Sequence, residues 1–184
     1  VLSGDPDFAR HGWRVLLRAA GSDAVLARYR QEIGEGEQVE DDAALWLGVI
    51  EFPSTVFARA QNTMLVRLDL PPSEIGVALK SAEHAASDNN FVVAAIGRVG
   101  IGYMLLAFCP IAVDPPGAIS YANAISDFRG SLSSHASAVV LRCPLEVKRH
   151  VSVWGTSPTD LEAMRAIKRM LDPNGVLNRG RFVI

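Results

Sequence analysis

The sequence predicts an α+β domain, with an antiparallel or mixed sheet carrying helices on one face. Strand-sized apolar runs alternate with segments of helical periodicity along most of the chain. Two of those runs, residues 91–96 and 101–108, are joined by the short connection Gly97-Arg98-Val99-Gly100, which makes them a hairpin and excludes an all-parallel sheet. The chain has 184 residues, 49% hydrophobic and 21% charged, which suits a single domain with a core of its own.

Each element has its own signals. Residues 1–12, rich in Gly, Pro and Asp, read as a linker. The start at Val1, with no signal-type stretch, reads as a piece of a longer polypeptide. A strand is expected over 13–19, closed by Gly21. Ser22 then caps a helix whose apolar stripe is Leu26, Tyr29 and Ile33, ended by Gly34. A shorter helix runs from Asp41 or Asp42 to about Ile50, burying Leu45, Trp46 and Val49 before Pro53 breaks it. Residues 63–70 alternate as a strand.

Pro71-Pro72-Ser73-Glu74 opens a helix with Ile75, Leu79 and Ala82 on one stripe, and Asn89-Asn90 turns the chain into the hairpin. A helix follows Pro115-Pro116-Gly117 over 119–128, then a strand over 137–142, with 151–154 a further strand candidate. The last helix has Ser157 at N-cap, Pro158 at N1 and Asp160 at N3, with Leu161, Met164, Ile167 and Leu171 as its buried stripe. Asp172-Pro173 stops it and Asn174-Gly175 turns. This order fits a ferredoxin-like split βαβ arrangement elaborated by extra helices.

Composition also narrows the function. A net charge of -2 and 7% aromatic residues argue against a nucleic-acid partner. No apolar run approaches the roughly 20 residues that a membrane span needs. Cys109 and Cys143 lack CxxC context and each precedes a proline, so they read as buried structural thiols of a reduced, cytoplasmic protein, one disulfide staying open.

The histidines His11, His84, His135 and His150 have no metal-ligand spacing, so no metal site is expected. There is no GxSxG elbow. Ser131, Ser133 and Ser134 flank His135 in a loop, where adjacency is not hydrogen-bond geometry. Glu35, Glu37, Glu40, Asp41 and Asp42 form an acidic run that favours a helix start. Gly97, Gly100 and Gly102 are in the wrong order for a dinucleotide fingerprint. They serve either positive φ in the hairpin or close approach by a ligand or another domain.

Residues 164–182, MRAIKRMLDPNGVLNRGRF, resemble the terminal segment of FAD-linked oxidases of the vanillyl-alcohol-oxidase type. That family commonly closes with a helix, Lys-x-x-Leu-Asp-Pro, then Leu-Asn-Pro-Gly-Arg/Lys-Phe. Weaker similarities lie in the opening strand and turn expected over Trp13 to Gly21, in Leu68-Asp69-Leu70-Pro71-Pro72, in Ala138-Val139-Val140-Leu141-Arg142 and in Val153-Trp154-Gly155. Within the family the chain is most similar to the E subunits of bacterial glycolate oxidase (glycolate dehydrogenase).

The resemblance implies a C-terminal cap domain over 1–184, its helix and tail at 157–184 docking on a flavin domain. It implies FAD held mainly by that FAD-binding domain of the same polypeptide, which is absent from this chain, so the isolated chain should be inactive. It also implies a small 2-hydroxy acid as substrate, other glycolate oxidase-type subunits as partners, and membrane association only through them. Two departures stand out. Arg179 replaces the family's proline, and the His-x-His hairpin of metal-dependent members is missing around 98–103.

A 2-hydroxy acid needs a cation with fork geometry for its carboxylate and a base within reach of its hydroxyl. Arg98 and Tyr103, beside the glycine hairpin, are the candidates for that work, and Asn178 and Arg181 are the candidates near the flavin. Arg67 and Arg142 lie in strands and could reach either face. The competing reading is a non-enzymatic α+β binding or assembly module, since no self-contained catalytic set is present.

Overall fold

Residues 12–39, 42–112, 116–155 and 160–179 are described by a computed structural model, and the chain divides into two compact units between Gln61 and Asn62. In the first unit, α1 (Asp23–Ile33) begins after Ser22 and ends at Gly34, whose φ of 73° needs a residue without a Cβ. Leu26 and Tyr29 are half-buried, whereas Ile33 is exposed. Asp42 precedes α2 (Ala43–Ile50), and its carboxylate accepts a hydrogen bond from Trp46 Nε1 at 2.9 Å and pairs with Arg18 at 3.1 Å. Leu45, Trp46 and Val49 are half-buried, as their spacing suggested.

Two expectations fail in this unit. α2 ends at Ile50 as expected, but Pro53 does not stop helix formation beyond it: it stands in the first turn of a third helix, α3 (Phe52–Arg59), where its missing N–H removes no helical bond. Residues 13–19 form no strand, and Val15 is 77% exposed and Leu17 66%. A run of strand-forming residues stays solvated when no neighbouring ladder pairs its backbone.

The second unit has the expected architecture. Its elements are β1 (Met64–Asp69), α4 (Ile75–Ser87), β2 (Phe91–Arg98), β3 (Tyr103–Pro110), α5 (Ala118–Gly130), β4 (Ser137–Arg142) and α6 (Leu161–Leu171). The strands lie in the order β2-β3-β1-β4, every neighbouring pair antiparallel. This is a ferredoxin-like βαββαβ sheet, each βαβ crossover leaving room for one strand between its ends.

Strand alternation sends Met64, Val66, Leu68, Phe91, Met104, Leu106, Phe108, Ala138 and Val140 into one core with α4 and α5. The helices answer with Ala78, Leu79 and Ala82 from α4, and Tyr121, Ala124, Ile125 and Phe128 from α5. Alanine on the α4 stripe allows close approach, and aromatic rings fill the remainder. Phe91 meets Tyr121 edge-on at 4.7 Å, and Phe108 meets Phe128 at 6.0 Å. Each such buried ring contributes about 2–3 kcal/mol. The buried Tyr121 hydroxyl donates to the Asn62 carbonyl at 2.7 Å, and burial pushes its pKa up to about 12.

The hairpin glycines divide by role. A Cβ on Gly97 would collide with the Tyr103 carbonyl and with Met104. Gly102 has φ of 68°, and its own Cβ would collide with the Leu70 carbonyl, while the Leu70 N–H donates to the Gly102 carbonyl at 3.0 Å. Gly100 faces open space. Two of the three are therefore required by the fold. Gly102→Ala should destabilise this unit by about 2 kcal/mol or more, adding left-handed strain to displacement of the Leu70 strand end. A urea midpoint unchanged from wild type would refute that account.

Residues 151–154 form a turn, with one ladder-like bond from Val140 N to Val153 O at 2.8 Å, and are no fifth strand. A segment with a single bond to its neighbour cannot propagate a ladder. The last helix begins at Leu161 with Asp160 at the cap position, and Ser157 and Pro158 lie outside the described residues. Its stripe is not buried as expected. Leu161 and Met164 are half-buried, but Ile167 is 54% exposed and Leu171 70%.

Candidate functional site

The sheet face opposite α4 and α5 carries the charged residues. Because Met64, Val66 and Leu68 point to the helices, Arg67 and Asp69 point the other way. Tyr103 precedes the core residue Met104, and Arg98 follows the odd-numbered core positions of β2, so both join that second face. Register aligns them: Ser137 pairs with Asp69, Asp69 with Tyr103, and Tyr103 with Arg98, forming one row across all four strands.

Arg67, two residues before Asp69 on the same face of β1, organises the row's side chains. Arg67 Nε donates to Asp69 Oδ2 at 2.7 Å and Nη2 to Oδ1 at 3.0 Å, a bidentate fork. The same guanidinium lies over the Tyr103 ring, 5.5 Å from its centroid, within cation–π range. The hydrogen bond and charge of Asp69 hold the Arg67 pKa above its usual value. Arg98 is exposed, Tyr103 half-buried, and among the described residues no carboxylate pairs with Arg98. Arg98 and Tyr103 are thus register partners on neighbouring strands. Arg67, named from the sequence as a strand arginine, lies on this face, and Asp69 is the residue the sequence did not single out; its i, i+2 spacing from Arg67 on a strand was the available signal.

The C-terminal segment forms a second constellation. Asp172, buried at the end of α6, accepts hydrogen bonds from the amides of Val176 and Leu177, each at 2.9 Å, and from Lys168 Nζ. Lys168 Nζ also donates to the Leu177 carbonyl at 2.8 Å. Those bonds, with the Lys168 bond foremost, hold the Asp172 carboxyl below the usual carboxylate range. The turn they close presents Asn178 in the left-handed region, φ 48°, with its side chain exposed. Arg181 lies outside the described residues. Among the described residues no hydrogen bond or ring contact joins Asn178 to Arg98 or Tyr103.

Other candidates resolve as structure. The Ser133 hydroxyl donates to Glu74 Oε2 at 2.6 Å and accepts from the backbone N–H of His135, so it forms no pair with the His135 ring. Both cysteines are free thiols, and burial raises the pKa of each. Among the described residues no three His, Cys, Asp or Glu gather as a metal site, and no helix is long and apolar enough to cross a membrane.

Residues 147–182 match the family model described as FAD linked oxidases, C-terminal domain. The match spans the turn after β4, α6 and the Asp172-anchored tail with Asn178. It supports an FAD-linked oxidase C-terminal domain, and through it a flavoprotein oxidoreductase. No curated protein matches the chain, and no solved structure does. Arg67, Asp69, Arg98 and Tyr103 lie outside the matched residues.

Proposed function

We propose that this chain is the cap and substrate-binding portion of an FAD-dependent oxidoreductase that oxidises a small 2-hydroxy acid such as glycolate, in the manner of the E subunit of bacterial glycolate oxidase. The observation that carries this reading is the match over 147–182, on a helix whose apolar side chains Ile167, Met170 and Leu171 stand in solvent. Such a face is what a helix docking on another domain would present.

The described residues fit one edge of a flavin better than its pyrophosphate. Asn178 offers a carboxamide donor and acceptor from a fixed turn, suited to a ring edge of alternating carbonyls and N–H groups. None of the described helices follows a Gly-rich phosphate loop of the kind that cradles a pyrophosphate. The bulk of FAD belongs to a flavin domain, of the same polypeptide or an assembled partner; Asn178 is the described candidate to meet it, and Arg181 is a candidate from the sequence alone. When bound, the flavin supplies the two-electron acceptor.

This chain's residues hold and orient the substrate. Arg98 takes the carboxylate with its fork, and the Tyr103 hydroxyl accepts a hydrogen bond from the substrate hydroxyl and so orients it. Other glycolate oxidase-type subunits complete the assembly in the cytoplasm, with membrane association supplied by them.

The test is purification of the native assembly through a tag on this chain. Bound flavin and glycolate-dependent reduction of an artificial acceptor are the expected results. Arg98→Gln should raise KM for glycolate by about tenfold to a hundredfold with flavin content unchanged, as expected for loss of a charge-assisted fork. A flavin-free assembly would favour the binding-module reading instead. A flavin-loaded assembly indifferent to 2-hydroxy acids would refute the substrate.

A further inference from the structure

We propose that Asp69 and Arg67 are a positioning pair for Tyr103, and that Arg67 is withheld from the substrate carboxylate while Arg98 takes it. This rests on the cap reading above and sharpens it, because two arginines share one sheet face with the phenol. Geometry separates them. Arg67 spends Nε and one terminal nitrogen on both oxygens of Asp69, at 2.7 and 3.0 Å, which is the fork that would otherwise grip a carboxylate. Its remaining face lies on the Tyr103 ring, 5.5 Å from the centroid. A second anion approaching Arg67 would meet the Asp69 charge first and be repelled. Arg98, the register partner of Tyr103, meets no such carboxylate among the described residues.

The arrangement gives each group one task. Asp69 fixes the plane of Arg67. Arg67 fixes the tilt of the Tyr103 ring through its cation face. Arg98 then places a carboxylate beside Tyr103, so that a hydroxyl on the adjoining carbon reaches the phenol oxygen. Because β1, β2 and β3 hold the row in register, the site is formed before ligand arrives. The ligand class is a small monocarboxylate with a 2-hydroxyl.

Arginine Nε–Hε NMR signals of the 184-residue chain, titrated with sodium glycolate at constant ionic strength, test this directly and without turnover. Saturable movement of the Arg98 signal is expected, with the Arg67 signal still because its Nε–H already donates a hydrogen bond to Asp69. Asp69→Asn should then weaken glycolate binding at Arg98 by about threefold or more, and expose the Arg67 signal to the titration, as expected when a preorganising contact is lost. Arg67→Gln should weaken binding similarly, and Arg67→Lys, which keeps the cation, should recover part of it. In the native assembly the same Asp69→Asn change should lower kcat more than it raises KM, since it misplaces Tyr103 while the Arg98 guanidinium itself is kept. Parallel movement of both arginine signals would overturn the division of labour and leave the cap reading standing, as would an Asp69→Asn chain that binds like wild type. Glycolate that moves neither signal would remove the carboxylate site itself, and with it both readings of this face.

Discussion

Arg129→Ala is expected to lower the stability of the sheet unit by about 3 kcal/mol, seen as a lower urea midpoint with unchanged slope. Arg129, on α5, donates to three carbonyls that belong to two separate stretches of chain. Nε and Nη2 reach Ala138 at 3.0 and 2.6 Å, Nη1 reaches Ser152 at 2.6 Å, and Nη2 also reaches Val153 at 3.2 Å. The guanidinium is partly desolvated, and that burial draws its pKa down. Removing it leaves three acceptors with no donor of comparable charge. Arg129→Lys should recover only part of the loss, because one ammonium cannot span three carbonyls. Gly155 shares in this clamp: φ is 75°, and a Cβ there would press on the guanidinium at 3.2 Å and on the Ala138 carbonyl at 3.3 Å. If Arg129→Ala matched wild type in urea, the clamp would have no energetic meaning.

Asp172→Asn is expected to loosen the tail without unfolding the sheet. The carboxylate gathers the Val176 and Leu177 amides and the Lys168 ammonium, so loss of its charge should speed amide exchange at Val176 and Leu177 by about tenfold or more. The pH dependence has a definite sign. The folded carboxyl titrates below its ordinary value. Tail anchoring is therefore complete above the ordinary carboxylate pKa, about 4, and is lost as pH falls below it through the depressed folded value. Acid should deprotect these two amides ahead of the sheet amides in the wild type, and the variant should show no such acid step. Uniform protection in wild type and variant down to pH 2 would sink this account.

Much of the second unit was legible because β1 alternates with period 2, β2 and β3 are strand-length apolar runs joined by a short glycine connection, and α4 carries a clear stripe. The failures share a cause: each lay where a partner decides the outcome. Residues 13–19 have strand-forming side chains but no ladder. Pro53 reads as a breaker in isolation and as a first-turn residue once Glu51 ends the preceding helix. The stripe of α6 was read correctly as amphipathic, yet Ile167 and Leu171 find no cover within the described residues. At the candidate site, the sequence brought forward Arg98 and Tyr103 through the hairpin glycines. Alternation alone puts Arg67 on the outer face, but its neighbourhood with Tyr103 and Arg98 depended on inter-strand register, which no local pattern encodes. Asp172 could have been found from its Asx-type position ahead of Pro173-Asn174-Gly175, since aspartate side chains commonly close such turns on their own backbone.

The strand order has a consequence for how the protein is made. β1 sits inside the sheet, flanked by β3 and β4, and its pairing with β4 joins Asp69 to Ser137. A ribosome releases β1 long before β4, so one edge of β1 stays open while α4, the hairpin and α5 are still being synthesised. Val66 and Leu68 can meet the helices in that interval, but the ladder to Val139 and Val140 cannot exist. The entropy of closing so long a loop is spent only at the last strand, which makes completion of the sheet a late and comparatively slow event. Nascent chains halted before β4 should thus carry an unpaired, apolar strand edge, and that edge is the surface a chaperone or a misfolding neighbour would find first.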